Sequence, residues 1–98
     1  MSNAWSERRV VVTGLGCASP LGLDADTVWK NIIAGKCGVG RVSAFDISAY
    51  DCQIAAEVRG FDPLPAFPSP KEVRRSDRFT PFGVYAGWGA LKDSGLNL

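Results

Sequence analysis

The sequence predicts an α/β arrangement in which strand and helix alternate along the chain. Three observations carry that expectation. Val10-Val11-Val12-Thr13 is a β-branched run stopped by Gly14, whereas Val28, Trp29, Ile32 and Ile33 recur at helical spacing behind Asp24. Phe79, Phe82, Tyr85 and Trp88 then repeat every three residues in a second helical pattern. The 98 residues, 46% hydrophobic and 21% charged, have the composition of an ordinary soluble domain and room for one at most.

Arg8-Arg9-Val10-Val11-Val12-Thr13-Gly14 lacks polar alternation, so it reads as a central strand covered on both faces. The turn-rich stretch from Gly14 to Gly22 leads to a helix capped by Asp24 and stopped at Gly35. Residues 37–51 show no sustained period and read as irregular surface chain anchored by Phe45 and Ile47. Residues 53–59 alternate in part and end at Gly60, which predicts a short strand. Residues 61–70 hold four of the six prolines and form a connector. Ser69-Pro70-Lys71-Glu72 is a capping-box pattern that starts a short helix. Ser76 or Asp77 can cap a last helix running toward Asp93, with Pro81 tolerated in its first turn and Gly95 as its stop. Gly83, Gly87 and Gly89 each cost about 1 kcal/mol relative to alanine in a helix interior. Their concentration predicts a helix buried between layers, with another backbone close against it. Two strands do not close a sheet, so the chain on its own is expected to expose apolar surface.

Eleven Lys and Arg against ten Asp and Glu leave +1, too small a net charge to argue for nucleic acid or an anionic membrane. The absence of histidine excludes Ser-His-Asp, Cys-His and His-metal chemistry within these residues. Cys17, Cys37 and Cys52 have no metal-ligand spacing and read as small buried hydrophobes in a reduced cytosolic protein. No metal or cofactor site is expected. No apolar run reaches membrane-spanning length and no signal-type segment precedes Val10, so the cytoplasm is the expected compartment. Met1-Ser2-Asn3-Ala4 reads as a vector or cleavage remnant.

Three features invite functional readings. Gly14-x-Gly16 after a strand suggests a dinucleotide loop, but the position three after Gly16 is Ser19 and not Gly or Ala, Pro20 follows, and no second strand ends in an acidic residue at the usual distance, which favours a structural loop. Lys71, Arg74, Arg75 and Arg78 are spaced by three and four, so on a helix their cations gather on one face. That face could bind an acidic helix or a phosphate, or be a solvated face paired internally with Glu72 and Asp77; spacing alone favours the latter. The aromatic set from Phe79 to Trp88 suits core packing or a subunit interface better than a cofactor cage.

Taken in order, several segments resemble the opening of the β-ketoacyl-acyl-carrier-protein synthases, most closely the synthase II enzymes of bacterial fatty-acid synthesis. They are Arg8 to Gly22 with its Val-Val-Val-Thr-Gly-Leu-Gly core, Val28-Trp29-Lys30-Asn31-Ile32-Ile33-Ala34-Gly35-Lys36, Phe45-Asp46-Ile47-Ser48-Ala49-Tyr50, Ala56-Glu57-Val58-Arg59-Gly60-Phe61-Asp62, and Asp77-Arg78-Phe79 with Asp93-Ser94-Gly95-Leu96. The resemblance implies a thiolase-like layered αβαβα fold, of which residues 5–98 are the incomplete N-terminal part. It also implies a cytoplasmic homodimer that condenses an acyl group with malonyl-acyl-carrier protein by decarboxylative Claisen chemistry. The family's catalytic cysteine and two histidines lie downstream of this stretch, so none of Cys17, Cys37 and Cys52 matches a catalytic position. Family members dock the acidic helix of acyl carrier protein on a Lys-x-x-Arg/Lys pattern matched by Lys71, Arg74 and Arg75. The resemblance thus reverses the balance on the basic face, with Arg78 a weaker candidate. Two alternatives remain: a type II polyketide ketosynthase or chain-length-factor subunit, and a non-catalytic carrier-protein-binding fragment.

Overall fold

The computed structural model describes residues 7–97. The tag expectation for Met1 to Ala4 lies outside the described residues. The first helix, α1 (Ala25–Ile33), begins where Asp24 turns extended and accepts the Thr27 backbone N–H at 2.8 Å and the Thr27 hydroxyl at 2.9 Å. Those bonds, the backbone one foremost, hold the Asp24 carboxyl below its ordinary value. The helix ends in a Schellman arrangement: Gly35 donates to the Ile32 carbonyl, Lys36 donates to the Asn31 carbonyl, and Gly35 takes φ +72°. Asn31 also reaches back to donate to the Leu21 carbonyl, tying the preceding turn to the helix.

Two three-residue strands follow. β1 (Val39–Arg41) pairs antiparallel with β2 (Ile54–Ala56), Gly40 facing Ala55. β1 falls inside the stretch expected to be irregular, and β2 is shorter than the expected 53–59. The intervening chain is held by polar ties. Glu57 accepts the Ser43 hydroxyl at 2.9 Å and the backbone N–H groups of Ser43 and Ala44 at 3.1 Å, and meets Arg59 at 3.2 Å. Gln53 donates to the carbonyls of Ile47 and Tyr50. Ile47, 4% exposed, is the buried anchor that the sequence suggested. Phe45 is instead exposed, edge-on to Tyr50 at 6.0 Å.

The proline-rich connector contains a single 3₁₀ turn, Leu64–Ala66, and leads to α2 (Pro70–Arg75). The expected capping box does not form. Ser69 is extended and its side chain makes no capping bond: the Glu72 N–H it would accept goes to the Ser69 carbonyl, and the Glu72 carboxylate lies 3.9 Å from Arg75. Neither Ser76 nor Asp77, the expected caps of the next helix, caps it with a side chain, and Ser76 closes this one: its hydroxyl lies 2.8 Å from the Val73 carbonyl and 3.1 Å from that of Glu72. The last helix, α3 (Thr80–Ser94), starts behind Phe79 with Pro81 buried in its first turn and stops at Gly95, φ +75°. Phe61 packs on it, 4.9 Å from Phe82 and 5.1 Å from Tyr85 by ring centroids. Phe79, the first of the predicted aromatic stripe, points away and is exposed.

The largest departure concerns residues 8–14. They form no strand among the described residues, and Val10 and Val12 are 91% and 80% exposed. A central strand exists only through ladder bonds to neighbours, and among the described residues no strand lies beside this one. What the arm does have is α3. A side-chain carbon added at Gly14 would collide with the Ala90 carbonyl and Ser94, and one at Gly16 with the Ala86 carbonyl and the Ala90 N–H. Leu15 between them donates its N–H to the Asp93 carboxylate at 2.9 Å. A close backbone approach to the helix does occur, but it requires the arm's glycines and not those of the helix: it falls at Ala86, Ala90 and Ser94, and a carbon added at Gly89 would lie 3.6 Å from Gly16, in ordinary contact. Gly83 and Gly87 are exposed and meet nothing, so α3 is covered on one side only and is not buried between layers. As expected, the chain exposes much apolar surface. Its radius of gyration is 17.9 Å, against about 13 Å for a closed domain of 100 residues. Among the described residues, no helix is long and apolar enough to cross a membrane.

Two consequences can be measured by thermal or urea unfolding. Gly16→Ala should destabilise the chain by roughly 1–3 kcal/mol through overpacking, whereas Gly87→Ala should be neutral or stabilise it by up to about 1 kcal/mol through helix propensity. Equal effects would remove the arm contact from the account. The Ser43 hydroxyl first, then the backbone N–H groups and Arg59, hold the Glu57 carboxyl below its ordinary value. The stability this contributes is fully present above the ordinary glutamate range and is lost as pH falls through the depressed native value. Glu57→Gln should therefore lower the melting temperature at neutral pH and flatten its acid limb.

Candidate functional site

The short helix α2 carries the cations singled out in the sequence. Proline at its first position fixes the entry, and the Ser76 hydroxyl closes its exit. Arg74 and Arg75 fall in the last turn, where the carbonyl end of the helix favours positive charge. Lys71, Arg74 and Arg75 are all exposed. Arg75 shares its charge with Glu72 at 3.9 Å; among the described residues neither Lys71 nor Arg74 forms a salt bridge. The structure thus brings Lys71 and Arg74 together as open cationic donors on one short helix, with Arg75 partly engaged.

Arg78 stands apart from this helical face. The helix ends at Arg75, so Arg78 lies in the connection to α3, and the predicted continuation of the row does not occur. It borders a cleft of about 510 Å³ between α2 and α3, shared with Arg74 and walled by Val73, Phe61, Pro81 and Phe82. Sequence reasoning did not anticipate this cleft. Its walls come from three separate segments, and its only advance signal was the phenylalanine pair 61 and 82.

The thiols depart from expectation. Cys37 and Cys52 are exposed, flanking the strands with their sulfurs toward the Val39 and Ile54 carbonyls, and only Cys17 is partly buried. Two strands cannot enclose the residues beside them. Burial, reinforced by the Asp24 carboxylate, pushes the Cys17 thiol up, which keeps it protonated and a poor nucleophile. A second cleft, of about 430 Å³, lies between the start of α1 and the end of α3. Two of its polar groups already have internal partners: Asp93 holds the Leu15 N–H, and the Lys92 ammonium sits 3.7 Å from the centre of the Trp88 ring. What the α2 region can offer chemically is cationic hydrogen bonding beside an apolar recess.

Residues 7–98 match the family model described as "Beta-ketoacyl synthase, N-terminal domain". A 3-oxoacyl-[acyl-carrier-protein] synthase 2 of Coxiella burnetii is 45% identical over 94% of this chain, and one of Vibrio cholerae is 41% identical over 95%. A third, from Staphylococcus aureus strain COL, is 36% identical over 93%. The chain spans 22% of the length of each of these relatives. With the family model matched over nearly its whole length, the chain belongs to the β-ketoacyl synthases, in the region of their N-terminal domain.

Proposed function

We propose that these residues are the amino-terminal part of a 3-oxoacyl-acyl-carrier-protein synthase of the second type, and that their own contribution is to dock acyl carrier protein. The observation that carries the reading is the 45% identity running through 94% of the chain, with the Lys71-x-x-Arg74-Arg75 pattern exposed on α2. The relatives' shared name favours this over a polyketide subunit.

In the complete enzyme, decarboxylation of malonyl-acyl-carrier protein releases CO₂ and leaves a carbanion equivalent. Its attack on an enzyme-bound acyl thioester forms the new C–C bond and expels the cysteine thiolate. Cys17, Cys37 and Cys52 take no part, and these 98 residues contain no histidine to promote decarboxylation or to stabilise the oxyanion. Lys71, Arg74 and Arg75 supply the carrier-protein contact through charge-assisted hydrogen bonds to its carboxylates. The layered thiolase-like fold, the homodimer and the cytoplasmic setting belong to the same proposal. In that fold the exposed valines of the arm would enter the sheet, and the open Gly83 and Gly87 side of α3 would meet a neighbouring layer. Residues 1–4 are read as a remnant outside the domain.

Carrier-protein binding by the complete enzyme, titrated against salt, tests the docking role. Combined Lys71→Glu and Arg74→Glu should weaken binding roughly tenfold at low ionic strength, about 1.4 kcal/mol, and flatten its salt dependence. Arg75→Glu should do less, because Glu72 already offsets that charge. Unchanged affinity and salt slope in the double reversal would end the proposal. The 98-residue chain alone should release no CO₂ from malonyl-acyl-carrier protein, and measurable condensation would overturn its assignment as a non-catalytic part.

A further inference from the structure

Residues 42–53, which leave β1 and return to β2, are closed at their base by polar ties that join into one relay. At the entry, Glu57 accepts the Ser43 hydroxyl at 2.9 Å and the Ser43 and Ala44 N–H groups at 3.1 Å. Through one nitrogen, the Arg59 guanidinium bridges that carboxylate, at 3.2 Å, to the Arg41 carbonyl, at 3.0 Å. Arg41 in turn donates its own guanidinium to the Gln53 side-chain carbonyl at 3.0 Å. The nitrogen of the same amide donates to the Tyr50 carbonyl at 3.3 Å and to that of Ile47 at 3.4 Å, at the exit. Among the described residues, every hydrogen bond, ion pair and ring contact made by 42–53 ends within 41–57, and none reaches α1 or α3. Both partners of each tie are therefore supplied by these residues, whatever the remainder of the enzyme places around them.

We infer that 42–53 is a flap that opens as one unit while α1 and α3 stay folded, and that the Glu57–Arg59–Arg41–Gln53 relay is the clasp that holds it shut. Ile47 is the one buried side chain of the segment, and side-chain ties stand where ladder bonds would otherwise run. Segments of that kind open locally, well below the free energy of global unfolding. Unlinked ties would let the two ends of the flap fray separately. Here Arg59 holds both Glu57 and Arg41, and Arg41 aims the Gln53 amide, so loss of either end leaves the other without its positioning partner. Opening releases Ile47 and carries the edge-on pair of Phe45 and Tyr50 with it.

Amide hydrogen exchange of the complete enzyme tests the clasp, with Ser43 and Ala44 reporting the entry, Tyr50 the exit and α3 the body. Glu57→Gln and Gln53→Ala should each speed exchange about fivefold at both ends, the effect of one net hydrogen bond, and leave α3 unchanged. The double variant should gain much less than the roughly twenty-fivefold product expected of independent ties. Arg59→Met, at an exposed position where substitution is mild for the fold, removes the link itself and should speed both ends by a similar factor. Unaltered exchange at both ends, acceleration confined to the end that was substituted, or a double variant that reaches the full product would each refute the clasp. Acceleration of α3 in step with 42–53 would mean that the segment opens only with the whole, and would overturn the flap as well.

Discussion

The structure depends on one contact between backbones. Gly14 and Gly16 lie against α3 at Ala86, Ala90 and Ser94, whose side chains are no larger than a methyl or hydroxymethyl, with Gly89 beside Gly16. The Leu15 N–H to Asp93 bond is added at the centre of that crossing and joins residues 78 apart in sequence. Closing a loop of that length costs about 4 kcal/mol before any stiffness is counted. One hydrogen bond returns only about 0.5–1.5 kcal/mol. The glycine face must therefore carry most of the attachment, which explains why both glycines exclude even a methyl group. Through it α3 gains a fixed neighbour, and α3 in turn carries Phe82 and Tyr85, on which Phe61 stacks.

Away from that crossing, polar ties do work that a core would ordinarily do. The twelve-residue excursion between β1 and β2 is held by Glu57 and Gln53 reaching across to backbone groups, with Ile47 as its single deeply buried side chain. Such bonds define geometry but bury little area, and the hydrophobic term scales with area. The extended dimensions of the molecule follow directly. Its apolar residues are numerous enough for a core; they are not enclosed because the elements that would cover them are few.

Features that need only neighbours in sequence were legible in it. Asp24, Gly35 and Gly95 were readable as helix ends because a cap is a matter of a few adjacent residues. The strand expected at Val10 to Thr13 was not realised, since a strand needs partners that no local pattern supplies. The capping box at Ser69 is absent because the Glu72 N–H goes to the Ser69 carbonyl, and Ser76 closes α2 without opening α3 because a hydroxyl can serve either end of a helix. At the site, Lys71, Arg74 and Arg75 were visible from spacing and from family resemblance. The recess beside them was not, because Phe61, Val73 and Pro81 meet only after the connector has folded back.

The separation between the arm and its seat also has a consequence in time. At about 5–20 residues per second, a ribosome that has made Leu15 needs roughly 4–16 s more to make Asp93, 78 residues later. Throughout that interval the most β-prone stretch of the chain has been synthesised and its docking helix has not. The two arginines ahead of the valines put positive charge beside this stretch for as long as it waits, a gatekeeping arrangement that opposes pairing with a second nascent copy.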